Sequence, residues 1–65
     1  MKDLDSFLQF LGFTCRQNSS HRNYNLKDTL LTIPCRNMTD TVKAPYIKNV
    51  KREVQQLIDK GEIFI

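Results

Sequence analysis

The sequence predicts an α+β fold in which two helices flank three antiparallel strands in the order α-β-β-β-α, and three observations predict it. Apolar residues recur every three or four positions near both ends of the chain, as in amphipathic helices. Between these segments, short stretches alternate between apolar and polar residues, as in half-buried strands. Polar turn residues separate these stretches. We expect the 65 residues, 1–65, to form one domain with a single thin core of two layers.

The first helix is predicted from a stripe of apolar residues in the first eleven positions, which consists of Leu4, Phe7, Leu8 and Leu11. Aspartates at positions 3 and 5 suit the start of a helix. Gly12 suits its end, because glycine adopts the left-handed conformation that terminates helices.

The first and third strands are predicted from alternation and from β-branched residues. Phe13–Arg16 alternates with a period of two, and the polar residues Gln17–Ser20 that follow favour a turn. Thr29–Ile33 is the strongest strand signal in the chain, because it is rich in β-branched residues. Pro34 ends this strand, since proline has no N–H to donate to a neighbouring strand.

The second strand, His21–Leu26, is predicted to have two distinct faces. Tyr24 and Leu26 fall on one side, and we expect them to face the core. Lys27-Asp28 connects this strand to the third in a short hairpin loop. The opposite face of the strand carries polar residues, namely His21, Asn23 and Asn25.

The second helix is predicted to follow a loop at residues 35–43. Pro45 suits the first position of a helix, where its missing N–H is harmless. The segment up to Gly61 carries apolar residues at helical intervals, which are Ile47, Val50, Val54, Leu57 and Ile58. Two such helices on one face of a three-stranded sheet leave the other face open, an architecture that resembles double-stranded RNA-binding domains.

Positive charge is concentrated in the middle of the chain. The whole sequence has a net charge of +3, whereas positions 14–52 carry eight cations against two aspartates, a net +6. A block this basic favours a polyanionic partner. The simpler interpretation is that these lysines and arginines only solvate an exposed face.

Cys15 and Cys35 are interpreted as small buried hydrophobic residues. We place them on the first and third strands, about 9.5 Å apart, which is two strand spacings and beyond the reach of a disulfide. With one histidine, they provide fewer than the four ligands of a structural zinc site. No apolar run is long enough to span a bilayer and the first residues are unlike a signal peptide, so we expect a cytoplasmic location.

His21 is the single histidine of the chain and lies in its most basic part. An imidazole titrates near neutral pH and serves as a general acid or base. On the polar face of the second strand it is expected to be accessible to RNA. The alternative is that His21 only begins a strand and is chemically inert.

The chain resembles the HicA family of toxin ribonucleases, which pair with HicB antitoxins and share the α-β-β-β-α order. The resemblance extends over nearly the whole chain and rests on Gly12-Phe13, Arg16-Gln17, Ser19-Ser20-His21 with Tyr24, Leu31–Pro34 and Lys43–Lys48. It implies an endoribonuclease that cleaves messenger RNA, with His21 as the catalytic residue and Ser20 as its supporting neighbour. Two features depart from the family: Ser19 replaces a glycine, and Gly61–Ile65 extends beyond the usual end of the second helix.

Cleavage of RNA without a metal or another cofactor needs a base for the 2′-hydroxyl, an acid for the leaving 5′-oxygen and cations for the phosphorane charge. Four basic residues are candidates for the phosphate contacts: Arg16, Arg22, Lys43 and Lys48. A partner antitoxin is expected to cover the His21 face, and a second copy of the chain is a further candidate partner.

Two other functions are also compatible with the sequence. The first is an RNA-binding module of the same fold that does not cleave. The second is a protein-interaction partner that uses the apolar residues Ile63-Phe64-Ile65, which either dock on the core or pair with a partner strand. DNA recognition ranks lower, because neither helix presents a convincing set of base-reading side chains.

Overall fold

The computed structural model describes residues 1–63 and confirms the predicted α-β-β-β-α order. The predicted strand Phe13–Arg16 is longer and begins one residue later, because Gln17 and Asn18 also pair with the second strand. The elements are α1 (Lys2–Phe10), β1 (Thr14–Asn18), β2 (His21–Leu26), β3 (Thr29–Pro34) and α2 (Ala44–Asp59).

The three strands form one antiparallel sheet in the order β1-β2-β3, joined by two short loops. Each loop has two residues, Ser19-Ser20 and Lys27-Asp28, so the first turn is shorter than the four residues expected. The first residue of each loop has a positive φ, +50° at Ser19 and +54° at Lys27. Two-residue loops require such conformations, because only then does the turn match the twist of the strands.

Both helices pack on the same face of the sheet, as predicted. That face presents Tyr24, Leu31 and Ile33, which are buried to 2% exposure or less. The helices contribute Leu8 from α1 and the α2 residues at positions 50, 54 and 57, while Phe13 and Ile63 complete the core. Ile63 therefore docks on the core; Phe64-Ile65, the rest of the predicted interaction segment, lies outside the described residues.

The two helices end in the same way, at the two glycines that were predicted to end them. Gly12 has φ +106° and Gly61 has φ +75°. The next residue in each case bonds five residues back, from the Phe13 N–H to the Leu8 carbonyl at 3.1 Å and from the Glu62 N–H to the Leu57 carbonyl at 2.9 Å. This is the Schellman pattern, and it places Phe13 in the core directly before β1.

The inner side of β2 holds a polar network that the sequence did not predict. Asp5 of α1 is buried, and its carboxylate accepts hydrogen bonds from the Tyr24 hydroxyl at 2.6 Å, the Arg22 Nε at 2.9 Å and the Gln9 amide at 2.8 Å. We call these four side chains the Asp5 network. It joins α1 to β2 across the apolar core.

The two cysteines differ in their surroundings. Both are free thiols; Cys35 is buried, as predicted, and lies directly after β3 rather than within it. The prediction that Cys15 is buried is wrong. Cys15 pairs directly with Tyr24 across the two strands, but it lies on the edge strand β1. Every residue of β1 is exposed, because the helices cover the other two strands.

Among the described residues, no helix combines the length and the apolar composition that crossing a membrane requires.

Candidate functional site

A groove of about 490 Å³ opens where β2 begins and β3 ends, beside the start of α2. His21 and Pro34 are directly opposite each other in the sheet, so the end of β3 and the segment after it lie next to the histidine. We call this the His21 groove. The side chains of its lining that bear on function are Ser20, His21, Arg36, Asp40, Lys43 and Tyr46.

His21 lies on the open face of the sheet and is exposed, as the sequence predicted. Its ring Nδ1 is 3.4 Å from the hydroxyl of Ser20, the residue predicted to support it. At that distance the hydrogen bond is long and weak. Ser20 therefore contacts the ring only weakly and leaves the imidazole accessible from solvent.

The segment after β3 is anchored to the β1–β2 turn. The Cys35 N–H donates to the Ser20 carbonyl at 2.8 Å, and the Gln17 side-chain amide donates to the Cys35 carbonyl at 2.8 Å. Gln17 also donates to the His21 carbonyl at 3.2 Å. These bonds hold the backbone that leads into the 35–43 loop against the residues that carry the histidine.

Within the loop, Asp40 organises the residues that line the groove. One of its carboxylate oxygens accepts the N–H groups of Arg36 and Asn37, both at 3.1 Å. The Asn37 side chain in turn accepts the N–H of Thr39 at 3.2 Å. The backbone of Arg36 is thus fixed in the wall of the groove, although no hydrophobic periodicity marks this loop in the sequence.

Only one of the four predicted phosphate-binding residues lies in the His21 groove. Lys43 lines it directly, as the residue preceding α2. Arg16 lies on the same open face of the sheet, but in a separate depression with Asn23 and Asn25. Lys48 is exposed on α2, on the side of the helix opposite the buried Val50, and is not part of the groove lining.

Arg22 is placed differently from the prediction. It alternates with His21 along β2 and therefore faces the helices, where its side chain is 15% exposed and paired with Asp5. Its Nε also donates to the Tyr24 hydroxyl at 2.9 Å, and its guanidinium lies 5.7 Å from the centre of the Tyr24 ring. With its charge balanced on the inner side of the sheet, Arg22 has a structural role in the Asp5 network rather than a place at the groove.

The protonation of the Asp5 network follows from these contacts. Burial raises the pKa of Asp5, but the hydrogen bonds from Tyr24 and Arg22 and the positive charge of Arg22 lower it by more, so the net pKa is below 3.8. Burial and the adjacent Asp5 carboxylate raise the pKa of Tyr24 above its ordinary value. Burial lowers the pKa of Arg22, but Asp5 and Tyr24 raise it by more. The net pKa is therefore above its ordinary value, and the guanidinium stays charged. The network is an ionised carboxylate that accepts hydrogen bonds from the Gln9 amide and from two titratable donors, Arg22 and Tyr24, that stay protonated.

Two residues of the groove were missed as functional candidates. Arg36 was counted only as part of the basic block, and Tyr46 only within the Lys43–Lys48 segment of the family resemblance. Tyr46 lies in the first turn of α2, with its side chain turned to the groove beside Lys43. A cation and an aromatic residue are recognisable in the sequence as possible contacts for RNA. Their proximity to His21, however, depends on how the 35–43 loop folds back onto the sheet.

Ser19 takes the conformation for which glycine is best suited. Its φ of +50° lies in the left-handed region, at a cost of about 1–2 kcal/mol for a residue with a side chain. The turn that presents Ser20 and His21 therefore forms with serine at this position.

No metal site is formed by the described part of the chain, in which no three side chains of His, Cys, Asp or Glu are grouped closely enough to hold an ion. The chain matches no protein-family model, no curated protein and no solved structure.

Proposed function

We propose that this protein is an endoribonuclease that cleaves messenger RNA with His21 as its acid–base residue, and that it acts in the cytoplasm as the toxin of a HicA-like toxin–antitoxin pair. The observation that carries the proposal is an exposed imidazole in a groove that also contains Arg36 and Lys43. The resemblance of the sequence to HicA toxins is the second support. Neither support depends on a metal ion.

The chemistry that fits the groove is attack of a ribose 2′-oxygen on the adjacent phosphorus. Neutral His21 takes the proton of the 2′-hydroxyl, the bond from phosphorus to the 5′-oxygen breaks, and that oxygen takes a proton from water. The products are a 2′,3′-cyclic phosphate and a 5′-hydroxyl. Arg36 and Lys43 stabilise the negative charge that develops on the phosphorane oxygens.

The rate is expected to be modest, because one imidazole does not act as base and acid in the same step. A positioned acid or base contributes about 10²- to 10⁴-fold. Such a rate suits a toxin, whose targets are few and whose effect accumulates with every message that is cut.

The proposed partner is a HicB-like antitoxin that covers the open face of the sheet. This face carries the exposed side chain of Leu30, 59% accessible, together with Arg16 and the polar residues of β2. An exposed apolar residue beside a cation on this open face fits a protein that shields His21 from RNA. A second copy of the chain on the same face is the competing arrangement, and the solution mass of the isolated protein distinguishes them.

The test of catalysis compares the wild type with His21→Ala in cells that lack an antitoxin. Lys51→Ala is the matched control, because Lys51 is an exposed cation of α2 outside the His21 groove. We expect growth arrest and cleaved transcripts with the wild type and with Lys51→Ala, and neither with His21→Ala. Equal arrest by all three proteins, or arrest by none, refutes the proposal.

The phosphate contacts are tested separately by the salt dependence of binding to single-stranded RNA. Arg36→Gln and Lys43→Gln each remove one phosphate contact, and each should reduce the slope of log affinity against log salt by about 0.7. Lys48→Gln should leave the slope unchanged, since Lys48 lies outside the groove. An unchanged slope in both groove variants rules out the predicted contacts.

The competing function is an RNA-binding module that does not cleave, and Ser19 at the glycine position of the HicA pattern is the observation that favours it. Salt-dependent RNA binding without cleavage of a long transcript would select this function over the nuclease. Cleavage that appears in Ser19→Gly but not in the wild type would identify the protein as an inactivated toxin.

A further inference from the structure

We propose that the His21 groove binds one unpaired nucleotide with its base against the ring of Tyr46, so that the substrate is single-stranded RNA and not the duplex that the fold resemblance suggests. This inference rests on the proposed function, because it names the form of RNA that the same groove accepts. Three observations carry it: the placement of Tyr46, the size of the groove and the balance of charge within it.

Tyr46 is an aromatic residue that the core does not use. Its side chain is 37% exposed, and it is absent from the cluster of buried and partly buried residues that packs between the helices and the sheet in the described chain. Its backbone is held in the first turn of α2, where its N–H donates to the Lys43 carbonyl at 3.1 Å. A ring on a fixed helical turn is a preformed surface for a flat partner.

A base fits such a surface because every nucleobase has an aromatic face. Stacking of a base on an aromatic side chain tolerates all sequences and requires that the base be unpaired and accessible. In a duplex the bases are stacked on each other, so a side chain reaches only their edges. Tyr46 therefore distinguishes single-stranded from double-stranded RNA and does not distinguish one base from another.

The volume of the groove suits a small ligand such as one nucleotide. Its volume of about 490 Å³ is within the range of about 300–1,000 Å³ that is usual for sites of small ligands. Double-stranded RNA, in contrast, is bound along a surface that covers about 16 base pairs. The longest dimension of the described molecule is 32 Å, and the cations that line its groove are confined to one end of the sheet.

The charges of the groove fit a phosphate beside the stacked base. Arg36 and Lys43 are its cations and Asp40 is its carboxylate, which leaves a net +1 without His21. One oxygen of Asp40 is already bonded to the N–H groups of Arg36 and Asn37, so part of its charge is compensated locally. With the base on Tyr46 at the start of α2 and the phosphate between the cations, the ribose lies toward His21.

The test measures binding of a short single-stranded oligoribonucleotide and of the same sequence in a blunt duplex, using the full chain with His21→Ala so that nothing is cut. Tyr46→Leu removes the ring and Tyr46→Phe keeps it. Phe10→Leu is the matched control, because Phe10 is 79% exposed and lies outside the groove. A 2-aminopurine base in the single strand reports stacking directly through quenching of its fluorescence.

We expect the single strand to bind at least about ten-fold more tightly than the duplex. Tyr46→Leu should weaken that binding by about 10- to 100-fold, the effect of losing one stacked base, and should abolish the quenching. Tyr46→Phe and Phe10→Leu should stay within about two-fold of the parent. Thermal unfolding shows whether Tyr46→Leu is folded, and if it is not, Tyr46→Trp replaces it, with unchanged or tighter binding expected.

Equal affinity for the duplex, full affinity in folded Tyr46→Leu, or a loss in Tyr46→Phe as large as in Tyr46→Leu would each overturn the inference. These outcomes are separable from a failure of the proposed function. A wild-type protein that cleaves duplex and single strand alike refutes only the role of Tyr46. A wild-type protein that neither binds nor cleaves RNA refutes both.

Discussion

Asp5→Asn tests whether the Asp5 network stabilises the fold, because it replaces a charged acceptor with a neutral side chain of the same shape. The carboxylate accepts three hydrogen bonds, and two of its donors come from β2. The Tyr24 hydroxyl can still donate to an asparagine oxygen, so the main loss is the charged pair with Arg22. A hydrogen bond to a charged group contributes about 1.5–3 kcal/mol.

We expect Asp5→Asn to lower the free energy of unfolding by about 2 kcal/mol at neutral pH, from the loss of one charge-assisted bond to an arginine that is 15% exposed and partly rehydrates. The total free energy of unfolding of a domain of 65 residues is about 3–10 kcal/mol, so the change is a large fraction of it. It corresponds to a fall in Tm of about 8–16 °C. Urea denaturation followed by circular dichroism measures the difference.

The same variant should change the response to acid. The pKa of Asp5 is lowered in the folded protein from a value of 3.8 in the unfolded chain. Its stabilising contribution is therefore complete above pH 3.8 and is lost as the pH falls through the lower folded pKa. Unfolding free energies measured from neutral pH downward should fall less steeply in this acid range for Asp5→Asn than for the wild type.

Asp3→Asn is the matched control, since Asp3 is in the same first turn of α1 but exposed. We expect it to change stability by less than about 0.5 kcal/mol. If the two variants unfold at the same urea concentration and show the same acid profile, the Asp5 network does not stabilise the protein and the reasoning fails.

Three further predictions concern the helix end, the thiols and the core. Gly12→Ala should destabilise the protein by at least about 1 kcal/mol in thermal unfolding, because φ is +106° there; an unchanged Tm contradicts this. Cys15 should react with a thiol reagent in the native protein, whereas Cys35 should react only after denaturation. Equal reaction rates of the two thiols in the native protein would show that Cys35 is not buried. Leu57→Ala should lower the free energy of unfolding by about 2–5 kcal/mol, whereas Ile47→Ala should lower it by clearly less, because Ile47 is 36% exposed. Equal losses for the two variants in urea denaturation would argue against this core.

The elements of the fold were predictable because their signals are local. The apolar stripe of α1 and the glycine that ends it lie within twelve residues, and the alternation of β2 lies within six. Hydrophobic period and turn chemistry depend on neighbouring residues, so they can be read without knowledge of the tertiary structure. The open face of β2 and the exposure of His21 followed from the same alternation.

The exposure of Cys15 and the role of Arg22 were not predictable in this way. Cys15 has the strand position of a buried residue, and only the placement of β1 at the edge of the sheet leaves it uncovered. The alternation of β2 places Arg22 on the face that turns to the helices, but its pairing with Asp5 at 2.9 Å arises only when α1 docks on the sheet. Both outcomes depend on which segments meet, and the partners are distant in the sequence.

By itself the sequence determined two helices, three strands, their order and the strand face that presents the only histidine. Only the tertiary structure decided which charges and which aromatic ring surround that histidine, since it placed Arg36, Lys43 and Tyr46 in the His21 groove. It also decided that Arg22 pairs with Asp5. The physical reason is that backbone periodicity arises between residues a few positions apart. A binding groove forms where segments separated along the chain pack against each other, and a one-dimensional pattern does not encode those contacts directly.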